Sequence, residues 1–125
     1  MSENKNKILV VEDNELNSKL FHDILGAMDC EAVVVNHPSQ FEDSLRIFTP
    51  DLILMDINLP ERSGKELIQD LKSNEKYKDI PVIAVTAMAL EQDKQTIIDA
   101  GCDGYITKPI DVMNFMKVIK DFLEK

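Results

Sequence analysis

Five short β-branched apolar runs that alternate with five amphipathic stretches predict a doubly wound α/β fold, a parallel five-stranded sheet covered by helices on both faces. Two further observations agree. At 125 residues, 44% hydrophobic and 30% charged with few Gly and Pro, the chain has the length and composition of one globular domain spanning 1–125, with no output domain expected. The conspicuous polar residues follow the apolar runs directly, at positions that a parallel sheet gathers along one edge.

The first strand is expected at Ile8–Val11 and the second at Ala32–Val35. The third, Leu52–Met55, and the fourth, Val82–Val85, read with the first as buried on both faces, because none of them alternates with polar residues. A fifth, Gly104–Ile106, is shorter. Helices are expected at Glu15–Met28 after an Asn14 cap, Ser39–Phe48 after Pro38, Lys65–Ser73, Leu90–Ala100 and Val112–Leu123. Gly101 reads as a helix C-terminal cap, and Pro50 and Pro81 punctuate the approaches to the third and fourth strands. In the last helix Val112, Phe115, Met116, Ile119, Phe122 and Leu123 share one face, the stripe that packs on a sheet. Met113 and Val118 widen that arc at its edges, as a partner surface or a partly buried margin would.

A net charge of -9 opposes direct contact with a nucleic-acid backbone, where affinity comes from Lys and Arg displacing counterions. Cys30 and Cys102 stand far apart with no zinc or redox spacing, as structural cysteines of a reducing cytoplasm do. The longest apolar runs fall far short of the ~20 residues a bilayer span needs, so neither membrane insertion nor a signal peptide is expected.

Glu12 and Asp13 follow the first strand, Asp56 the third, Thr86 the fourth, and Thr107 and Lys108 the fifth. An Asp after a strand is commonly a turn former, but four such segments converging on one crevice make a site. Three acids there repel one another, at a cost on the order of 4 kcal/mol for a like pair ~4 Å apart at an effective dielectric of ~20. Lys108 and a divalent cation are the available compensators. The ligands are hard oxygens without His or Cys, so Mg2+ suits the site better than zinc, with Mn2+ an acceptable substitute. Such a cation neutralises an incoming phosphoryl group that an Asp56 oxygen attacks, while Thr86 and Lys108 bind its oxygens as hydroxyl donor and point charge.

The segments 8–14, 50–60, 81–87 and 104–109 together resemble the receiver domains of two-component response regulators, from about Lys7 to Leu123. The resemblance implies a flavodoxin-like (CheY-like) sheet of order 2-1-3-4-5. It implies phosphorylation of Asp56 by a histidine kinase or phosphotransferase, and Mg2+ ligation by Asp13, Asp56 and the Asn58 carbonyl, with Glu12 acting through water. It also implies that Thr86 and Tyr105 form a switch and that the Lys108–Pro109 bond is cis. Asn58 and Met88 occupy the positions that set the dephosphorylation rate in this family. Asn58 can orient water and Met88 cannot. The stretch 11–17, continued by 19–23, is similar to single-domain cell-division regulators of the family. That similarity implies a cytoplasmic monomer or weak dimer acting on kinases, phosphatases and other signalling proteins in cell-cycle control, with no enzymatic activity beyond its own phosphorylation and dephosphorylation.

Two alternatives use the same crevice. An Asp-nucleophile phosphohydrolase would need a second acid two residues after Asp56, where Asn58 stands, and a cap segment for which the chain has no length. A flavin-binding electron carrier would need a Ser/Thr/Gly-rich phosphate loop where Glu12-Asp13 stands. His22 and His37 have no metal-ligand spacing around them and are expected on the surface or in helix packing.

Overall fold

A computed structural model describes residues 6–57, 59, 64–87 and 91–124. The elements alternate strictly: β1 (Lys7–Val11), α1 (Glu15–Ala27), β2 (Glu31–Val35), α2 (Pro38–Ile47), β3 (Leu52–Asp56), α3 (Gly64–Ser73), β4 (Val82–Thr86), α4 (Glu91–Asp99), β5 (Gly104–Thr107) and α5 (Val112–Leu123). All strand pairs are parallel, in the order β2-β1-β3-β4-β5. The winding direction therefore reverses at β1, whose neighbours are β2 on one side and β3 on the other, and the crevice for a ligand opens beyond the carboxyl ends of β1 and β3.

The pleat sorts the buried strands into two cores. Leu9, Val11, Ile53, Met55, Val82 and Ala84 face Phe41 and Leu45 of α2, Leu67 and Leu71 of α3, and Ile97 of α4. Ile8, Val10, Leu52, Leu54, Ile83 and Val85 face Phe21 and Leu25 of α1 and Phe115 and Ile119 of α5. Phe21 and Phe115 stack with ring centroids 5.2 Å apart, an arrangement that contributes about 1 kcal/mol beyond the area it buries. β3 and β4 are buried along their whole length and β1 from its second residue, as continuous apolar runs require.

The helix starts follow capping chemistry. Asn14 Oδ1 accepts from the Asn17 amide at 3.0 Å, and Asp111 Oδ1 from the Asn114 amide at 3.1 Å. The cap of α2 is His37, whose Nδ1 accepts from the Ser39 amide at 3.2 Å. Sequence patterning placed that histidine on the surface or in packing and missed this role, because imidazole is an uncommon substitute for a carboxylate or hydroxyl cap. Gly101 has φ 111° and closes α4 by donating its amide to the Ile98 carbonyl, as its expected cap role requires. Val112, expected in the buried stripe of α5, is 42% exposed. It lies on the first turn beside the Asp111 cap, and full burial begins at Phe115.

At the edge opposite the crevice, Lys72 Nζ donates to the carbonyls of Lys78 and Ile80 and to Asp103 Oδ2, the last at 2.8 Å. Asp103 Oδ2 also accepts from the Val82 amide, so one ion pair ties the end of α3 to the starts of β4 and β5. Cys30 is buried, Cys102 is half-buried, and both are free thiols. Among the described residues no helix is long and apolar enough to cross a membrane.

Candidate functional site

Parallel pairing continues one residue further than the apolar runs do, and this extension builds the site. β3 ends on Asp56 and β4 on Thr86, so both polar residues belong to the strands and not to the loops after them. The Ile57 amide donates to the Val85 carbonyl at 3.0 Å, and the Lys108 amide to the Thr86 carbonyl at 2.7 Å. Both bonds carry the ladder past the core. Asp56 is 2% exposed and Thr86 is fully buried.

At the end of β1, the Glu12 amide donates to the Val35 carbonyl, and the Glu12 carbonyl accepts from Ser18 Oγ of α1. These bonds hold the Glu12 backbone between β2 and α1 while its side chain is buried. Glu12 Oε2 accepts from the Asn14 amide at 3.3 Å. Glu12 Oε1 is buried with no hydrogen-bond donor among the described residues. Lys108 Nζ stands 3.3 Å from it, in an ion-pair contact that lacks hydrogen-bond geometry, and 3.6 Å from Asp56 Oδ2. Asp13, next in the chain, is exposed at the mouth of the crevice.

Burial pushes the Glu12 carboxyl up from an ordinary 4.5 to about 7. A hydrogen bond shared with Asp56 and the Asp56 charge add to the rise, while the Lys108 charge and the Asn14 amide oppose it. Lys108 thus compensates only part of the acid it faces.

One carboxylate oxygen each from Glu12, Asp13 and Asp56 fall within 4.8 Å of one another. Three hard oxygens, two of them on buried side chains, fit a small divalent cation held by carboxylates and water. They do not fit zinc, for which imidazole or thiolate would be the usual partner.

The structure thus brings together five expected site residues: Glu12, Asp13, Asp56, Thr86 and Lys108. Asn58 and Met88 lie outside the described residues. Tyr105 pairs in register with Ala84, is half-buried and packs against the core under α2, α3 and α4. Thr86 is paired with Thr107. Of the two residues at the edge of the α5 stripe, Met113 is 77% exposed, whereas Val118 is half-buried against the α1/α5 core. The Lys108–Pro109 peptide is cis.

Residues 8–120 match the family model of the response regulator receiver domain. The polar-differentiation response regulator DivK of Brucella ovis is 47% identical over 116 residues, which cover 93% of this chain and 94% of that protein. DivK of Brucella melitensis gives the same figures. Among solved structures, a putative response regulator from Chloroflexus aurantiacus superposes with a TM-score of 0.91 at 20% identity, over 97% of this chain and 99% of that one. The receiver domain of a sensor histidine kinase from Pseudomonas aeruginosa, with a magnesium ion coordinated in its active-site cleft, superposes with a TM-score of 0.87. It is 27% identical, and the match covers 97% of this chain and 99% of that one.

Proposed function

Because this chain belongs to the response regulator receiver domain family, we propose that Asp56 is its phosphoryl acceptor and that the crevice around it catalyses transfer from a phosphohistidine. The observation that carries this reading is the position of the Asp56 carboxylate. It is nearly inaccessible, sits at the end of a buried strand, belongs to a three-carboxylate cluster and has Lys108 Nζ 3.6 Å away.

Glu12, Asp13 and Asp56 would hold Mg2+, joined by the Asn58 carbonyl if this chain follows its family. When bound, the ion supplies positive charge against the phosphoryl oxygens and the repelling carboxylates. An Asp56 carboxylate oxygen attacks phosphorus in line; the P–O bond forms as the P–N bond to the donor imidazole breaks. Lys108 balances charge on the transferred group, and the Thr86 hydroxyl donates to one of its oxygens.

Phosphate drawn towards Thr86 alters the end of β4, and Tyr105 lies one strand over in register with Ala84. Thr86 and Tyr105 are therefore the proposed switch, and Met113, with Val118 at its margin, is the proposed contact surface. A shift from 1:99 to 99:1 requires about 5.5 kcal/mol of preference for one conformer. A dianion held by a hydroxyl, an ammonium group and a metal ion can supply that preference. The likeness to DivK supports cytoplasmic control of polarity and cell division, through contacts with histidine kinases, phosphatases and other signalling proteins.

The test is incubation with a small phosphodonor, with and without Mg2+, followed by mass spectrometry of the native protein and Asp56→Asn. A magnesium-dependent phosphate adduct on the native protein alone is expected. The same adduct on both proteins would overturn the assignment of Asp56.

A further inference from the structure

α3 begins on a glycine, the poorest helix former after proline, and a close approach of backbone to backbone explains it. A Cβ built at Gly64 would lie 2.8 Å from Ile57 Cα and 3.0 Å from the Asp56 carbonyl carbon, and well inside contact with the Asp56 carbonyl oxygen. All of these are main-chain atoms of the acceptor segment, so no side-chain rotation relieves the clash.

The same segment is gripped by hydrogen bonds on both sides. The Ile57 amide donates to Val85 of β4, and the Ile57 carbonyl accepts from the Gly64 amide at 3.0 Å. Pairing with β1 stops at Met55, so beyond the core the Asp56–Ile57 peptide is held by β4 and by the first residue of α3. Its orientation sets where the Asp56 carboxylate points.

We infer that Gly64 is a positioning residue for phosphoryl transfer: its bare Cα lets α3 seat against the Asp56–Ile57 peptide and keeps the acceptor carboxylate aligned with Glu12, Asp13 and Lys108. The inference rests on Asp56 being the acceptor. A side chain at position 64 forces either α3 to withdraw or the peptide to rotate. Because β3 is packed on both faces, the displacement falls on its free end, where Asp56 stands.

The experiment compares Gly64→Ala with the native protein and with a core variant remote from the site, Leu45→Ala, at a temperature where all are folded by circular dichroism. Phosphorylation is followed at saturating Mg2+ against concentration of a small phosphodonor, and Mg2+ affinity is measured by calorimetry. Gly64→Ala is expected to lose on the order of tenfold to a hundredfold in the limiting phosphorylation rate, the scale of a misplacement of about 1 Å, and to bind Mg2+ more weakly. Leu45→Ala is expected to keep both. A folded Gly64→Ala protein with the native rate and Mg2+ affinity overturns the inference.

Amide hydrogen exchange on the native protein supplies a measurement that needs no variant to fold. Loading with Mg2+ and beryllofluoride is expected to protect the Gly64 and Ile57 amides more than core amides remote from the site, because a ligand that requires the aligned peptide opposes its local opening. Equal changes throughout overturn the inference. Failure of the native protein to take phosphate on Asp56 would instead refute the acceptor assignment itself, a separate result.

Discussion

Lys108 Nζ stands 3.3 Å from Glu12 Oε1, the one buried side-chain oxygen without a hydrogen-bond donor among the described residues. The contact joins the end of β5 to the end of β1 across two intervening strands. It accounts for both the charge balance of the crevice and its incompleteness. One ammonium faces two buried carboxylates, and burial first, with the Asp56 hydrogen bond and charge adding to it, raises the Glu12 proton affinity further than Lys108 can offset.

Stability in the absence of metal is expected to fall as pH rises from about 4.5 to about 7 and then to level. Folding raises the Glu12 carboxyl from 4.5 to about 7, so within that window the native state holds a proton that the unfolded state has lost. The full difference corresponds to roughly 3 kcal/mol. Denaturant unfolding between pH 4.5 and 8 in chelator checks it. Glu12→Gln should flatten the dependence and stabilise the metal-free protein at pH 8.

Mg2+ affinity should rise with pH and level off above about 7, because below that value the ion displaces the proton on Glu12. Calorimetry at pH 6 in two buffers of different ionisation enthalpy should detect close to one proton released per ion. Binding without proton release would show that Glu12 is not part of the ion's environment.

Removing the Lys108 charge, as in Lys108→Met, should raise the Glu12 carboxyl further, since that charge opposes the rise. An NMR titration of the Glu12 carboxyl carbon reads the shift directly. The variant should also take up phosphate more slowly, having lost a group that balances charge on the transferred phosphoryl.

The architecture was legible because the apolar runs of β1, β3 and β4 are unbroken and each is followed at once by an acid or hydroxyl. Asp56 and Thr86 stood out by composition. Their membership of the strands did not, because a polar residue ends an apolar pattern whether or not backbone pairing continues beneath it. The long-range ties left no local signal. Lys72 reaches Asp103 across 31 positions, and either residue alone reads as surface charge. Gly64 carried no signal in the sequence, since only the folded chain brings the Asp56 carbonyl against its Cα.

The Lys72–Asp103 pair makes a separable prediction. Lys72 Nζ meets three oxygens, and Asp103 Oδ2 also receives the Val82 amide. Asp103→Ala should therefore destabilise the fold by about 2 kcal/mol, the cost of leaving the Val82 amide without its acceptor and Lys72 without its counter-charge. The pair lies at the far edge of the sheet, so the phosphorylation rate of the folded variant should match the native rate. Thermal unfolding and the phosphodonor assay together check this.

Met88 carries the last prediction, which rests on chemistry two residues beyond Thr86. Hydrolysis of an aspartyl phosphate needs a water aligned for attack on phosphorus, and a thioether is too weak an acceptor to align it. Replacing it by a carboxylate, Met88→Glu, adds a strong acceptor at a position that sets the dephosphorylation rate in this family. The phosphorylated lifetime should shorten by roughly tenfold, less than the ~100-fold or more of a group that itself transfers a proton, because this carboxylate only orients the water. Loss of label from the purified phosphoprotein in Mg2+ measures it, and equal lifetimes for the native and Met88→Glu proteins would remove Met88 from the account of turnover.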